Sequence, residues 1–399
     1  QFMWLTNLLN KIPTVNATAP SSINVSAEYA QLIPHKQASG SNKGSSYVDD
    51  FESTQTGIDL RSPYSWFLAS TPYENGADAL FPEAALSNNV DYGKNRALIN
   101  WYYIDRMFTQ RNSSLAPGYI RSDLKQLSNP YVREITMHEI FPDREVNYSE
   151  SSTIQTLNLS FYPTERGPYN LDATNIDDQG NLLNPEKRWG GIMRKMDNTN
   201  FEQSNIEYVQ FWLLSPFLDP ENPNLDGGDL YLNFGEMSED ILKDGLKSYE
   251  NGIPYDGSTT YLQETVWGRV SSQNSLTYSF DNATGSRSVQ DVGLDGLPND
   301  MEFTFPSYRD YLDKLRLKLS PTRIEEMQLD KFSPFNDPAG DNYHFYRGYD
   351  YDEERLSILQ RYKRYNGVEG NSLAPEDADE PLYQAFRPRC RRHQSGQYP

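Results

Sequence analysis

The sequence predicts a β-rich chain, with a two-sheet sandwich through its middle and a small helical part towards the C-terminus. Three observations lead there. Short apolar or alternating runs recur between clusters of Gly, Pro, Asn and Asp: ALINWYYI (97–104), TIQTLNLSFYP (153–163), IEYVQFWLL (206–214), DLYLNFGE (229–236) and TVWGRVS (265–271). Tyrosine is abundant at 28 residues while hydrophobic residues reach only 37 %, which suits a wet, loop-rich β-protein better than a helical bundle. Helical periodicity gathers only after residue 300.

Taken in order, residues 1–13 are a short apolar–polar segment ending at Pro13. In 22–34, Ile23, Val25, Ala27 and Tyr29 fall on one face, so 1–36 reads as a strand-bearing segment with one wet face. QASGSNKGSS (37–46) has linker composition and sets a domain boundary. Residues 47–285 hold the sandwich runs, and the loop 215–229 is expected to join two antiparallel neighbours. Residues 286–372 hold a calcium-loop-like turn and then helices. There Ser307 is placed as a cap with Asp310 as its box partner, ahead of an apolar stripe of Tyr308, Tyr311, Leu312, Leu315 and Leu319. Ser320-Pro321 starts a second helix, and a third is expected over about 352–365, ending at Asn366-Gly367.

The charge narrows the partners. With 36 basic against 56 acidic residues the chain carries −20, which argues against nucleic acid and against an anionic membrane surface. The single cysteine, Cys390, allows no disulfide framework and no thiolate zinc site. The opening QFMWLTNLLNKIP lacks a signal-peptide pattern, and no stretch has the apolar length of a membrane-spanning helix, though β-barrel strands would escape both tests.

No enzyme signature is present: no GxSxG, Walker loop, GxGxxG or HExxH, and the four histidines (His35, His138, His344, His393) are scattered. The chain is therefore expected not to be an enzyme; a glycosidase would need two carboxylates facing each other across a cleft. FYPTERGPYNL (161–171) and RWGGIMRK (188–195) are dense in aromatic, glycine and basic residues. Trp189 and Arg166 are their candidate binding residues, with Trp189 as a stacking platform; the competing reading is a corner that locks a long loop in place. As a carbohydrate-binding module the chain would need Trp66, Trp101 and Trp189 on one exposed face.

DVGLDGLPNDME (291–302) carries candidate metal ligands. Counted from Asp291, it matches an EF-hand loop at Asp291, Asp295, Gly296, Asn299 and Glu302, with the Leu297 carbonyl at position seven. Gly293 at position three offers no side-chain oxygen, which weakens the site and argues against a calcium sensor. A structural calcium is the one cofactor the sequence suggests. The alternative is a turn held by its own hydrogen bonds.

Long stretches also resemble the SprA/Sov family: VDDFESTQTGIDLR, NPYVREITMHEIFP, FYPTERGPYNLD, RWGGIMRKMDNTNFE, IEYVQFWLLSPF, GGDLYLNFGEMSEDILKDGLKSYENGIP and GDNYHFYRGYDYDEERLSILQRYKRYNGVEGNS, in order from about residue 12 to 372. The resemblance implies a segment of the outer-membrane translocon of the type IX secretion system, a very large β-barrel that exports folded cargo and, in some members, supports gliding motility. It makes 1–36 a barrel-type strand segment and the sandwich an insertion between barrel strands. DDFE and IEYVQFW add a weaker likeness to jelly-roll modules. Implied partners are secreted cargo proteins and other type IX components, at the outer membrane or cell surface.

The tail departs from the family. FRPRCRRHQSGQYP (386–399) stands where the family continues with acidic sequence. Back-translated and shifted by one base, RPRCRRHQSGQYP reads VPDVEDINQDNT, so residues 373–399 are expected to be a disordered, frameshifted tail; a genuine basic partner-binding tail is the alternative.

Overall fold

The computed structural model describes residues 3–13, 57–73, 79–144, 151–197, 200–202, 206, 208–215, 227–273 and 280–366. The chain divides into two units, Gln1–Gly57 and Ile58–Pro399. In the first, the described residues form the helix Met3–Leu9 and a following turn. The alternating segment 22–34, the linker 37–46 and the tail 373–399 lie outside the described residues.

The expected sandwich is not there. Among the described residues of the second unit, strands pair only two by two, in four small antiparallel sheets, with neither a sandwich nor a barrel. Helix exceeds strand, 26 % against 12 %. The one sheet of substance joins Ala97–Tyr102 to Asn158–Arg166, with a bulge between Ala97 and Leu98. Thr153–Ile154 pairs instead with Ile135–Thr136, and Arg269–Ser271 pairs with Leu262–Glu264. The runs 208–214 and 229–236 form no strand, and Trp212, Leu213, Leu230 and Phe234 are exposed.

The physical reason lies in where the backbone groups find partners. Between the runs, Asp side chains take nearby N–H groups, a local alternative to a ladder. Asp172 accepts from the amides of Thr174 and Asn175 (2.9 and 3.1 Å), Asp177 from those of Gln179 and Asn181 (2.9 and 2.7 Å), and Asp240 from that of Gly245 (2.8 Å). Sequence alternation alone does not reveal this competition.

The core is instead three clusters around the strand Ala97–Tyr102, all six of whose residues are buried. Ile99 and Trp101 join Tyr92, Tyr169, Trp267 and Tyr308. Ala97 joins Ile176, Leu182 and the helical Tyr311, Leu312, Leu315 and Leu319. Tyr102 joins Phe108, Ile120, Tyr346, Ile358 and Tyr362. A strand covered on both faces reads as a near-continuous apolar run, as ALINWY does apart from Asn100, whose amide donates to the Tyr362 carbonyl.

The helical part follows the sequence with two departures. The helix Pro306–Lys318 buries the whole expected stripe up to Leu315, with Leu319 just beyond its end. It has Pro306 in its first turn, but its cap position is Phe305. Ser307 donates to the Val266 carbonyl rather than capping, because the helix begins two residues earlier than expected. Pro321–Leu329 is capped by Ser320, which accepts from the Arg323 amide at 3.2 Å. The expected third helix is two short ones, Tyr349–Glu353 and Ile358–Tyr362. Arg355 at φ +57° breaks the run, and Ser357 restarts it with a capping box to Gln360.

Candidate metal centre

Hydrophobic packing of Leu294 and Leu297 draws the turn of DVGLDGLPNDME inward, carrying its acidic residues with it. The turn spans 293–296, with Gly293 at φ +71° and Gly296 at φ +66°. Asp295 and Glu302 are wholly buried. Opposite them stands a second loop, DPAGD (337–341), after the helix Pro321–Leu329, with Asp337 and Asp341 also buried. One carboxylate oxygen from each of Asp295, Glu302 and Asp341 lies within 4.8 Å of the other two.

Tyrosines and backbone amides hold these groups in place. The Tyr308 hydroxyl donates to Asp295 Oδ2 at 2.6 Å, and the Leu297 amide to Asp295 Oδ1 at 3.0 Å. Tyr169 ties the two loops together: its hydroxyl donates to Asp341 Oδ2 at 2.8 Å and accepts from the Leu294 amide at 2.7 Å. Its own amide donates to the Ala339 carbonyl at 2.7 Å. Glu302 Oε2 accepts from the Ala339 amide at 2.7 Å, while Glu302 Oε1 is buried with no hydrogen-bond partner. Asp337 is taken up by the amides of Gly340 and Asn342 at 2.8 and 3.3 Å.

The electrostatics of this pocket are unfavourable as they stand. Burial raises the carboxyl pKa of Asp295, of Glu302 and of Asp341, and repulsion among these acids and Asp337 raises them further. Burial likewise raises Asp337, which the Arg166 guanidinium partly offsets. Among the described residues, no lysine or arginine side chain forms an ion pair with Asp295, Glu302 or Asp341.

Of the residues singled out in sequence, the structure gathers two, Asp295 and Glu302. Asp291 is exposed, and Asn299 turns its amide to the Asn336 carbonyl at 3.3 Å. Asp341 escaped sequence reasoning because it lies 39 residues beyond the turn's Glu302; the acidic, glycine-bearing DPAGD between two helices was the available signal. Tyr308 was legible in the sequence only as part of the helical apolar stripe and Tyr169 only as one aromatic of 161–171, and neither carried a signal for holding a carboxylate.

The candidate binding residues go elsewhere. Trp189 is half-buried: its indole donates to Glu83 Oε1 at 3.1 Å, Phe81 meets its ring edge-on, and Arg96 lies 5.4 Å from its ring centre. Arg166 donates to the backbone carbonyls of Asp337 and Pro338 and lies 5.4 Å from the Tyr311 ring centre. Trp101 is wholly buried and donates to the Trp66 carbonyl at 3.1 Å, so Trp66, Trp101 and Trp189 form no common exposed platform.

Comparison with known proteins adds one match. Residues 310–387 match the SprA_N family, described as a motility related/secretion protein. No curated protein matches the chain.

Proposed function

On the premise that a chain carrying the SprA_N segment at 310–387 is a fragment of the SprA/Sov family, a secretion and motility family rather than an enzyme family, we propose that it is a structural segment of the type IX outer-membrane translocon. In this reading it contributes to protein export, and in gliding species to motility. Secreted proteins are its passing cargo, and the full-length protein holds it at the outer membrane.

One observation carries the reading. The matched segment is not an appendage, since its side chains complete two of the three hydrophobic clusters. Tyr311, Leu312 and Leu315 close over Ala97, while Tyr346, Ile358 and Tyr362 close over Tyr102. The family-matched part and the strand Ala97–Tyr102 therefore pack into one body, which supports reading them as one functional segment. The acidic balance of −20 fits a wall that stays hydrated and does not hold cargo tightly.

The test is made in the full-length protein, in a bacterium with this secretion system. Tyr362→Asp, which puts a charge into the third cluster, is expected to reduce cargo in the medium and to halt gliding where gliding occurs. Normal secretion and motility, with the variant present at normal level, would refute the proposal.

A further inference from the structure

We infer that Asp295, Glu302 and Asp341 form a binding site for one hard divalent cation, calcium in particular, which fastens the 293–296 turn to the 337–341 loop. This goes beyond the secretion reading and does not depend on it.

Three observations converge. The donor set is all oxygen, with no histidine or cysteine among the three, which suits calcium over zinc or copper. Oxygens within 4.8 Å of one another are close enough to be bridged by one ion whose ligand bonds run about 2.3–2.6 Å. Independently, Glu302 Oε1 is fully buried and meets no donor. Protonation of Glu302 is the competing state, with its O–H donating to a neighbouring carboxylate, and titration with calcium separates the two. Full ionisation buries three negative charges together, which the Arg166 guanidinium offsets only in part, at Glu302. A divalent cation answers both: it ligates the orphaned oxygen and neutralises most of the charge. Tyr169, Tyr308 and the Leu297 and Ala339 amides then act as a supporting layer that orients the ligands.

The ligand set differs from that of an EF-hand loop. Position three of the turn is Gly293, and a Cβ there would stand 2.0 Å from Asp341 Oδ2. The oxygen missing from the loop is supplied by a different loop, through the space the glycine leaves. Calcium takes about six to eight oxygens, so bidentate carboxylates and water would complete the shell.

The test uses the full chain, freed of metal with a chelator and titrated with terbium, whose emission is sensitised by nearby tyrosine and tryptophan. One terbium per chain is expected, displaced by calcium, with a Tm that rises with calcium concentration. Asp341→Asn and Glu302→Gln should each weaken binding about tenfold or more, and Asp291→Asn should leave it unchanged. Should the variants not fold, hydrogen exchange on the unaltered chain decides: the amides of Leu297 and Ala339 should exchange more slowly with calcium. No terbium emission and no calcium effect on Tm or exchange at millimolar metal would overturn the site. So would a dominant effect of Asp291→Asn, which would place the ion on an EF-hand-type loop.

Discussion

Asp341 sets its carboxylate where a side chain on Gly293 would stand, with Oδ2 2.0 Å from the Cβ position. Gly293→Asp would restore the EF-hand pattern and, on sequence grounds alone, should tighten a metal site. The structure predicts the reverse. At φ +71° a non-glycine residue costs about 1 kcal/mol, and overpacking against Asp341 adds about 1–3 kcal/mol. Urea denaturation should show a loss of at least about 2 kcal/mol, and a gain in stability would show that the two loops do not meet in this way.

Arg188 and Asp172 form a buried ion pair, Nη1 to Oδ2 at 3.3 Å, with side chains 2 % and 4 % exposed. Removing one partner strands the other, so Arg188→Met should destabilise the fold by about 3–5 kcal/mol, measured by thermal or chemical unfolding.

The same carboxylate gives a pH dependence. Burial alone would raise the Asp172 pKa, but hydrogen bonds from Thr174 and Asn175 hold it below the ordinary carboxylate value. A depressed folded pKa gives stability that is complete above the unfolded value of about 3.9 and is lost as pH falls through the folded one. Comparing the protein with Asp172→Asn from neutral pH down to about pH 2 isolates this contribution. The stability gap should be constant above about pH 5 and close below about pH 4. A gap that widened towards acid would contradict the assignment.

Tyr362 lies between Tyr102 and Tyr346, with ring centres at 4.6 and 4.8 Å, and its hydroxyl accepts from the Asp105 amide at 2.9 Å. Tyr362→Ala should cost about 3–5 kcal/mol, as expected for a large buried ring. Tyr362→Phe keeps the stack and removes only the acceptor, for about 1 kcal/mol. Equal losses for the two would mean that the stack contributes nothing.

Ser320 caps its helix, so Ser320→Ala should cost about 1 kcal/mol. Ser307→Ala should act differently: its hydroxyl reaches the Val266 carbonyl, so the change loosens the 265–268 turn more than the helix. Amide exchange at Gly268 and at Arg309 separates the two effects.

These pairs show what was legible in the sequence. The stripe from Tyr308 to Leu319 could be read because helical spacing is local, and it is buried as expected. Ser320-Pro321 could be read for the same reason. The sandwich was misread because alternation in 208–214 and 229–236 marks a chain able to pair, while pairing depends on a neighbour. Two of the three residues of the candidate metal centre, Asp295 and Glu302, followed from loop spacing. The rest did not: Asp341 arrives through tertiary packing, and the glycine that looked like a missing ligand is the space it enters.

The strand Ala97–Tyr102 is sealed from far along the chain. Asn100 donates to the Tyr362 carbonyl at 3.1 Å across 262 residues, and Tyr346 to Asp105 across 241. Contacts this distant in sequence slow folding, because a long loop must close before any of them stabilises the structure. Tyr102 thus leaves the ribosome long before its cover is made, and stays uncovered until synthesis has passed Tyr362. For a chain built this way the hazard of early aggregation weighs more than that of late unfolding.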